Sequence, residues 1–433
     1  MNRRQFLSQS IQSAASALIL PSIVPSTVLG KTAIPPSGKI VLGCIGTGGQ
    51  GIGNMQSFLQ LDDVRIVAVC DVDVKHLQEA GEIVDAHYGN RGCAATRDFR
   101  ELLARDDIDA VSIATPDHWH GIVGVHAAGS GKDIYGEKPL THNLAEGRAL
   151  CDAVRRHGRI WQTGSWQRSV DNFRFACELV RNGRIGRVRR VEVGLPSGYS
   201  IQKPDGDIYR IQTPPAELDY DFWLGPAPET PYFPGRTHWN WRWNLDYGGG
   251  QLLDWVGHHV DIAHWALGLD GTGPLEIEGK GEYPADGPFN SATKYRINTR
   301  YRDGLDMVIA GGHPDIRFGT KWIGESGWVW VTRGDTDADP KSLMRERFGS
   351  GDVRLYYSDN HHRNFIDCVK SRKETITPCE TAHRSATPGH LGQIAMRLGR
   401  KIAFNPDTEE ILNDPDATRM LSRPMRSPWG LGG

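Results

Sequence analysis

The feature that most constrains the fold is a glycine-rich turn between an apolar run and a helix-like segment. The run "KIVLGCI" leads into "GTGGQG", which has the spacing G-x-G-x-x-G. Glycines in this pattern allow a tight turn and a close approach of the backbone to a pyrophosphate, and the following helix N-terminus supplies N–H donors. The cofactor-binding residues predicted from the turn are Gly46, Thr47, Gly48, Gly49, Gln50 and Gly51.

A second apolar run, "RIVAVC", ends at Asp71, twenty residues after Gly51. A carboxylate at this position can accept a hydrogen bond from the 2′-hydroxyl of a ribose. No arginine follows immediately to receive the 2′-phosphate of NADP, so NAD is favoured over NADP. A glycine-rich turn without a ligand is the less favoured alternative, because strand, turn, helix and acid occur together.

The pattern of apolar runs differs between the two halves of the chain. Up to about residue 165 short apolar runs alternate with longer amphipathic segments, which is typical of βαβ units and a parallel sheet. Later runs such as "LEIEGKGEY" and "GWVWVTRG" follow one another and indicate an open, mainly antiparallel sheet. The predicted fold class is α/β, with a Rossmann dinucleotide-binding domain at 39–165, an α+β substrate and oligomerisation domain at 166–405, and a C-terminal tail at 406–433.

The first thirty residues read as a targeting segment. They begin with Arg3 and Arg4, continue through a short, weakly apolar run and end in small residues. This pattern predicts a twin-arginine export signal at 1–30, a linker at 31–38 and a periplasmic or otherwise exported protein. The run is too short to span a membrane. Because this route carries folded proteins, a tightly bound cofactor is expected; a chance arginine pair in a disordered N-terminus is the less favoured alternative.

The overall charge limits the classes of partner. The 433 residues contain 50 Lys and Arg against 52 Asp and Glu, a net charge of −2. This balance argues against nucleic acid and against a polybasic membrane anchor, and favours small neutral partners. The seven cysteines show no C-x-x-C and no His/Cys ligand spacing, so no metal site is predicted.

The stretch "GEKPL" allows two interpretations of Lys138. Pro139 restricts the backbone of the preceding residue, so the lysine side chain is aimed in a limited direction. It either marks the end of a strand at the surface or is a cation held at a site of chemistry. In the second case Glu137 and Lys138 are predicted to contact the cofactor. The position of Lys138 after the last clear strand of the dinucleotide domain favours the second interpretation.

Another strand end, in "IATPDHWH", carries Thr115, Pro116 and His120. Ligands of open α/β sheets bind at the carboxyl ends of the strands. We therefore expect these residues on the nicotinamide side of a cleft, where a cofactor role and a purely structural role are about equally favoured for the histidine.

The segment "GGGQLLDWVGHHVDIAHW" places Asp254, His258 and Asp261 on one face if it is a continuous helix. The acid could orient the histidine or share its proton. A solvated polar face is the alternative. Beside a dinucleotide fold the pair becomes a candidate for proton transfer, because removal of hydride from a secondary alcohol also needs a base.

Taken together, the G-x-G-x-x-G turn, the "EKPL" strand end and the pattern "GGGxLxDxxxHxxD" resemble the Gfo/Idh/MocA family, the glucose-fructose oxidoreductase and inositol dehydrogenase group. The resemblance runs from about Lys39 to the C-terminal helices. It implies a Rossmann domain followed by an α/β domain with an open antiparallel sheet. Position by position it makes Lys138, Asp254 and His258 the catalytic residues, with Lys138 beside both nicotinamide and substrate.

The tryptophan-rich stretch "HWNWRWN" mixes aromatic and polar groups, which suits a sugar. Nucleic-acid stacking would use the same rings, but the basic excess it needs is missing. The predicted substrate-binding residues are Lys138, Trp166, Arg168, Trp241, Asp254 and His258.

Three functions follow, in decreasing order of support. The first is an exported NAD(P)-dependent oxidoreductase acting on a secondary hydroxyl of a carbohydrate or polyol. The second is an NAD-recycling glycosidase or lyase that works through a transient keto-sugar, or a sugar-to-sugar redox exchange. The third is a non-catalytic sugar-binding protein. A homo-oligomer is expected, because an open sheet face is commonly covered by a second subunit.

Overall fold

A computed structural model of the chain describes residues 38–199 and 207–432. It divides into two units, residues 1–39 and residues 40–433, and only Gly38 and Lys39 of the first unit are described. The predicted export signal and the linker up to residue 37 lie outside the described residues. Within the described ranges, every helix is too short or too polar to cross a lipid bilayer.

The first sheet has six strands in the order β3-β2-β1-β4-β5-β6, and all of its neighbouring pairs are parallel. The order reverses at β1, which pairs with both β2 and β4, and such a reversal creates a ligand-binding crevice at the carboxyl ends of the strands. The strands are β1 (Ile40–Ile45), β2 (Val64–Cys70), β3 (Ala94–Thr96), β4 (Ala110–Ile113), β5 (Asp133–Gly136) and β6 (Trp161–Thr163).

Five helices connect these strands. Three have side-chain N-caps, because Asp73 accepts from the Lys75 N–H, Asp98 from the Arg100 N–H and Asn143 from the Glu146 N–H. Such caps satisfy backbone donors that have no partner inside the helix and fix where the helix begins. The helices are α1 (Gly49–Leu59), α2 (Val74–Tyr88), α3 (Phe99–Leu103), α4 (Asp117–Gly129) and α5 (Leu144–Arg156).

The second sheet has nine strands in the order β13-β12-β11-β7-β10-β9-β8-β14-β15. The pair β7 and β10 is parallel, and the other pairs are antiparallel. The predicted fold class is confirmed. The strands are β7 (Val188–Leu195), β8 (Glu276–Glu282), β9 (Lys294–Arg300), β10 (Asp306–Gly311), β11 (Gly319–Gly324), β12 (Gly327–Thr332), β13 (Asp335–Asp339), β14 (Ile402–Asn405) and β15 (Glu410–Ile411).

Helices cover one face of this sheet. Val193, Ile297 and Trp322 are buried in one apolar cluster with Ile262 and Leu391 of the helices. Alternate strand residues project to the other face, where Val308 and Ala310 form a small buried apolar cluster with Ile316. The helices of this half are α6 (Asp171–Arg181), α7 (Tyr220–Leu224), α8 (Gly250–Trp255), α9 (Asp261–Leu267), α10 (His361–Ser371), α11 (Cys379–Leu398) and α12 (Pro415–Arg419).

Two segments near the C-terminus, α10 and the residues after 405, make contacts with the first domain. Phe365 and Ile366 of α10 are buried in a cluster with Phe58 of α1. In the predicted tail, Arg423 donates to Glu146 Oε1 over 2.8 Å, and the ring of Trp429 stacks on that of Phe222. Residues 406–432 are therefore packed and bonded rather than loose, because their apolar and basic side chains find partners far away along the chain.

Candidate active site

A cavity of about 650 Å³ lies between the two halves of the described structure. Its floor is made by the carboxyl ends of β2, β4 and β5 and by the glycine turn, and its other wall comes from the segment around α8. This is the crevice that the strand order predicts. The predicted site residues that line the cavity are Gly46, Gly48, Gly49, Gln50, Asp71, Thr115, Pro116, His120, Glu137, Lys138, Trp166, Trp241, Asp254 and His258.

The glycine turn has the geometry that a dinucleotide requires. Gly46 has φ of 81°, which favours glycine, and a Cβ at Gly51 would lie 1.9 Å from Gly46 O. The N-cap of α1, Gly48, has no side-chain hydrogen bond, so the first backbone N–H groups remain available to an anion. Thr47 and Gly51 are buried beneath the turn. The residues present therefore fit the pyrophosphate of NAD.

Asp71 is positioned by the same turn. Its carboxylate accepts from the Thr47 N–H over 2.7 Å and from the Asp73 N–H over 2.9 Å. In the described part of the chain, one group of potential metal ligands lies beside it: the ligand atoms of Asp73, His76 and His238 lie within 4.8 Å of one another. His76 Nδ1 is 3.8 Å from Asp71 Oδ2, so this group belongs to the end of the cavity where a ribose is expected.

His120 joins two of the predicted strand ends. Its ring nitrogens lie 2.8 Å from Thr115 O and 2.8 Å from Pro139 O. Burial lowers the pKa of this histidine below its ordinary value, because a charged ring is poorly solvated there. His120 therefore holds the loops after β4 and β5 together at the edge of the cavity.

Lys138 follows β5 and contacts the second domain. Its Nζ donates to Asp254 Oδ1 over 2.8 Å and to Asp254 O over 3.1 Å. Glu137 does not pair with this ammonium; it accepts from Asn54 Nδ2 over 2.9 Å, and its burial raises its pKa. The lysine is thus held as a cation partner of Asp254 rather than as a free surface lysine.

The helix that carries Asp254 is interrupted by a π-turn at Val256–Val260. A Cβ at Gly257 would lie 2.9 Å from Lys138 Cβ, so the glycine allows the turn to approach the lysine. The turn also separates the two histidines. His258 lines the cavity, whereas His259 is buried away from it, with its carbonyl accepting from the Thr320 hydroxyl over 2.9 Å.

Asp254 and His258 share the cavity wall without bonding to each other. Burial opposes ionisation of Asp254, but Lys138 and Arg242 outweigh it and hold the pKa of this carboxyl below its ordinary value. Burial and then Lys138 hold the pKa of His258 well below its usual range. His258 Nδ1 is buried without a hydrogen-bond partner among the described residues. The neutral imidazole of His258 therefore has a ring nitrogen free to bind a further group, and the ammonium of Lys138 lies on the same part of the cavity wall.

Arg168 departs from the prediction. It is 2% exposed and does not line the cavity. It donates to Asp261 over 2.7 and 2.8 Å and to Asp270 over 2.8 and 3.1 Å. Burial disfavours its charge, but the two carboxylates outweigh burial and raise the pKa of Arg168. The structure therefore assigns this arginine to an ion cluster inside the second domain.

Three arginines that line the cavity, Arg97, Arg242 and Arg333, were missed in the sequence. Arg242 lies between the rings of Trp239 and Trp241, at 4.5 and 4.4 Å from their centroids, and its Nε is 3.6 Å from Asp254 Oδ1. Arg333 lies at the turn between β12 and β13. The alternation in "HWNWRWN" could have indicated Arg242, but no local pattern distinguishes Arg333 from any arginine in a turn.

The fold and this cavity define an oxidoreductase-class protein with a dinucleotide-binding Rossmann domain. Residues 40–165 match the oxidoreductase family's NAD-binding Rossmann fold, and residues 173–431 match its C-terminal alpha/beta domain. The chain belongs to the Gfo/Idh/MocA oxidoreductase family.

Two curated relatives illustrate the range of similarity. A "Glycosyl hydrolase family 109 protein" of Shewanella pealeana is 35% identical over 170 residues, which are 36% of this chain and 37% of that relative. The "Uncharacterized oxidoreductase YrbE" of Bacillus subtilis is 27% identical over 342 residues, 78% of this chain and 84% of that protein. The first match thus spans little more than a third of the relative's length.

Solved structures show the same fold. The WlbA dehydrogenase from Bordetella pertussis, in complex with NADH and UDP-GlcNAcA, has a TM-score of 0.63 at 18% identity, covering 85% of this chain and 99% of that one. The aldose-aldose oxidoreductase from Caulobacter crescentus, complexed with glycerol, has a TM-score of 0.60 at 18% identity, covering 84% and 100%. At these identities the similarity is one of architecture.

Proposed function

We propose that this protein is an exported oxidoreductase that uses NAD to oxidise a secondary hydroxyl of a carbohydrate or polyol. The observation that carries the proposal is the contact between Lys138 Nζ and Asp254 beside neutral His258, in the cavity that also contains the glycine turn. When bound, oxidised NAD supplies the acceptor for the hydride of the substrate carbon.

We assign to His258 the role of the base that accepts the proton of the substrate hydroxyl. Its pKa lies well below the usual range, so the ring is neutral at physiological pH and can accept the hydroxyl proton as the carbonyl forms. Its Nδ1 has no hydrogen-bond partner among the described residues. His118, His142, His259 and His264 also have a ring nitrogen without such a partner, but of these five histidines only His258 lines the cavity.

We assign to Lys138 the role of the hydrogen-bond donor to the oxygen of the substrate hydroxyl. Its ammonium is already directed into the cavity by Asp254, so it can donate a hydrogen bond to the oxygen as negative charge develops there. Asp254 orients the lysine and makes no hydrogen bond to His258. The preference for NAD over NADP rests on Asp71, whose carboxylate would repel a 2′-phosphate placed beside it.

The test is reduction of the bound nicotinamide, followed by absorbance, during incubation with polyols and methyl glycosides. Lys138→Ala is expected to lose roughly a hundredfold or more of this rate while NAD affinity survives. Lys280→Ala, an exposed lysine of β8, is the matched control and should leave both unchanged. Full turnover in Lys138→Ala would reject the assignment of the lysine.

A second function is favoured by one specific observation, the 35% identity to a glycosyl hydrolase family 109 protein. In that case oxidation, cleavage of the glycosidic bond and reduction would follow one another on a retained cofactor. Release of the aglycone from a chromogenic glycoside without accumulation of NADH supports this function. Accumulation of NADH with an intact glycoside rejects it.

Export and assembly belong to the same proposal. The Arg3-Arg4 pair would direct the folded protein to the twin-arginine machinery. Replacement of both arginines by lysine keeps the charge, and is expected to retain the protein in the cytoplasmic fraction of an expressing bacterium. Unchanged export of this variant would contradict the route. Light scattering of the purified protein tests the expected homo-oligomer.

A further inference from the structure

Arg333 lines the cavity and makes no ion pair with a described carboxylate, although Asp254 acts on its charge from a distance. Its guanidinium lies 4.6 Å from the ring centroid of Trp166 and 4.7 Å from that of Trp255. Its Nε donates to Gln167 Oε1 over 3.2 Å. Two indoles and one amide therefore fix the plane of the guanidinium, and its terminal nitrogens have no partner among the described residues.

Two other arginines of the same domain that stack on tryptophan have carboxylate partners. Arg317 also stacks on an indole, that of Trp330, but it lies outside the cavity and pairs with Asp335 at 3.4 Å and Asp337 at 3.7 Å. Arg242 stacks in the cavity and has Asp254 as its carboxylate. Stacking on tryptophan is thus common to all three arginines, and the missing carboxylate is peculiar to Arg333.

The charges around the catalytic residues do not balance. Lys138, Arg242 and Arg333 line this part of the cavity, and Asp254 is shared by the first two. Glu137 and Asp117 also line it, but burial raises the pKa of both carboxyls, that of Asp117 to about 8, which weakens their contribution of negative charge. Oxidised nicotinamide adds a further positive charge. Such a site favours a substrate that brings an anion.

We infer that Arg333 binds an anionic group of the substrate, so that the sugar is an acidic one, carrying a carboxylate or a sulfate ester. The inference rests on the proposed function and narrows its substrate class. A guanidinium can hold either oxyanion with two parallel N–H bonds, and Arg333 has terminal N–H groups to spare. Arg333 is exposed to solvent at the edge of the cavity, so a contact with an anion there would be sensitive to salt.

The experiment compares matched sugars on the NAD-loaded protein by calorimetry. Methyl glucuronide and methyl glucoside form one pair, the corresponding galactosides a second, and glucose 6-sulfate against glucose a third. We expect the acidic member to bind at least about tenfold more tightly in one pair, with a preference that weakens as salt is raised. Arg333→Gln should abolish the preference and change binding of the neutral member less than about twofold.

Two further variants test whether the preference for the acid depends on the guanidinium of Arg333 in particular. Arg317→Gln removes a stacked arginine outside the cavity and should retain the preference for the acid. Arg333→Lys keeps the charge without the planar fork and should retain part of the preference, which also covers the case in which Arg333→Gln fails to fold. Equal binding of acidic and neutral members in all three pairs, or an undiminished preference in folded Arg333→Gln, overturns the inference.

Absorbance of the bound nicotinamide, recorded in parallel, separates this inference from the proposed function. Reduction by neutral sugars without any acid preference would overturn the anionic site and leave the oxidoreductase assignment standing. An acid preference that depends on Arg333, without reduction by any sugar, would support the site and count against the oxidoreductase assignment.

Discussion

Lys138 Nζ lies 2.8 Å from Asp254 Oδ1, which joins the end of β5 in the first domain to helix α8 in the second. Both side chains are largely shielded, with exposed fractions of 15% and 22%. A shielded ion pair is stronger than one at the open surface, and here it also aims the ammonium into the cavity. The relative position of the two domains is therefore coupled to the orientation of Lys138.

Asp254→Asn tests this coupling. The amide keeps the size of the side chain but no longer holds Lys138 by charge, so we expect turnover to fall roughly tenfold to a hundredfold with little change in NAD affinity. Steady-state kinetics and a fluorescence titration with NAD measure the two quantities. Asp315→Asn, which breaks an exposed pair with Arg296, is the control and should be silent. A parallel loss in the control would show a general effect of carboxylate removal.

The pH dependence of kcat/KM reports on His258. Its folded pKa lies well below the ordinary value of 6.5, so the neutral, base-competent ring persists as the pH falls through 6.5. We expect the acid limb of the kcat/KM profile to lie below pH 6.5. Unfolding binds a proton in this range, so the contribution of His258 to stability is present above the unfolded pKa and is lost at lower pH. An acid limb at or above 6.5 contradicts this account; His313→Asn, outside the cavity, should leave the profile unchanged.

The glycine turn can be tested with two alanines on one helix. A Cβ at Gly51 would lie 1.9 Å from Gly46 O, whereas a Cβ at Gly53 meets nothing within 4 Å. Gly51→Ala should weaken NAD binding by about a hundredfold or more, because the turn must open to accommodate the methyl group. Gly53→Ala should bind NAD normally. Equal affinities in the two variants would show that the turn does not hold the cofactor.

Arg168 should act on stability rather than on substrate recognition. Arg168→Met leaves Asp261, which is 1% exposed, without its cation, and we expect the free energy of unfolding to fall by about 3–5 kcal/mol. Arg155→Met removes a partner of the half-exposed Asp152 and should cost less than about 1 kcal/mol. Denaturant titration measures both. A fully stable Arg168→Met with an altered substrate range would restore the substrate-binding prediction.

Much of the cofactor half could be predicted because its signals are local. The glycine turn, Asp71 and the loop after β5 are each contiguous with a strand whose apolar run is visible in the sequence. The pattern at Asp254 and His258 was equally visible, and the structure places both in the cavity. The relative placement of these two side chains could not be predicted. The expectation that they share one helical face assumed 3.6 residues per turn, and the π-turn at Val256–Val260 breaks that period.

The sequence by itself determined the class of fold, the dinucleotide turn and the identity of the lysine, acid and histidine, because short-range periodicity and turn chemistry encode these features. Only the tertiary structure decided which charges meet. Lys138 finds Asp254 across 116 residues, Arg168 is buried against Asp261 and Asp270, and Arg333 enters the cavity without a carboxylate. Pairing of this kind depends on how two domains pack, and burial then decides the strength and sign of each electrostatic effect.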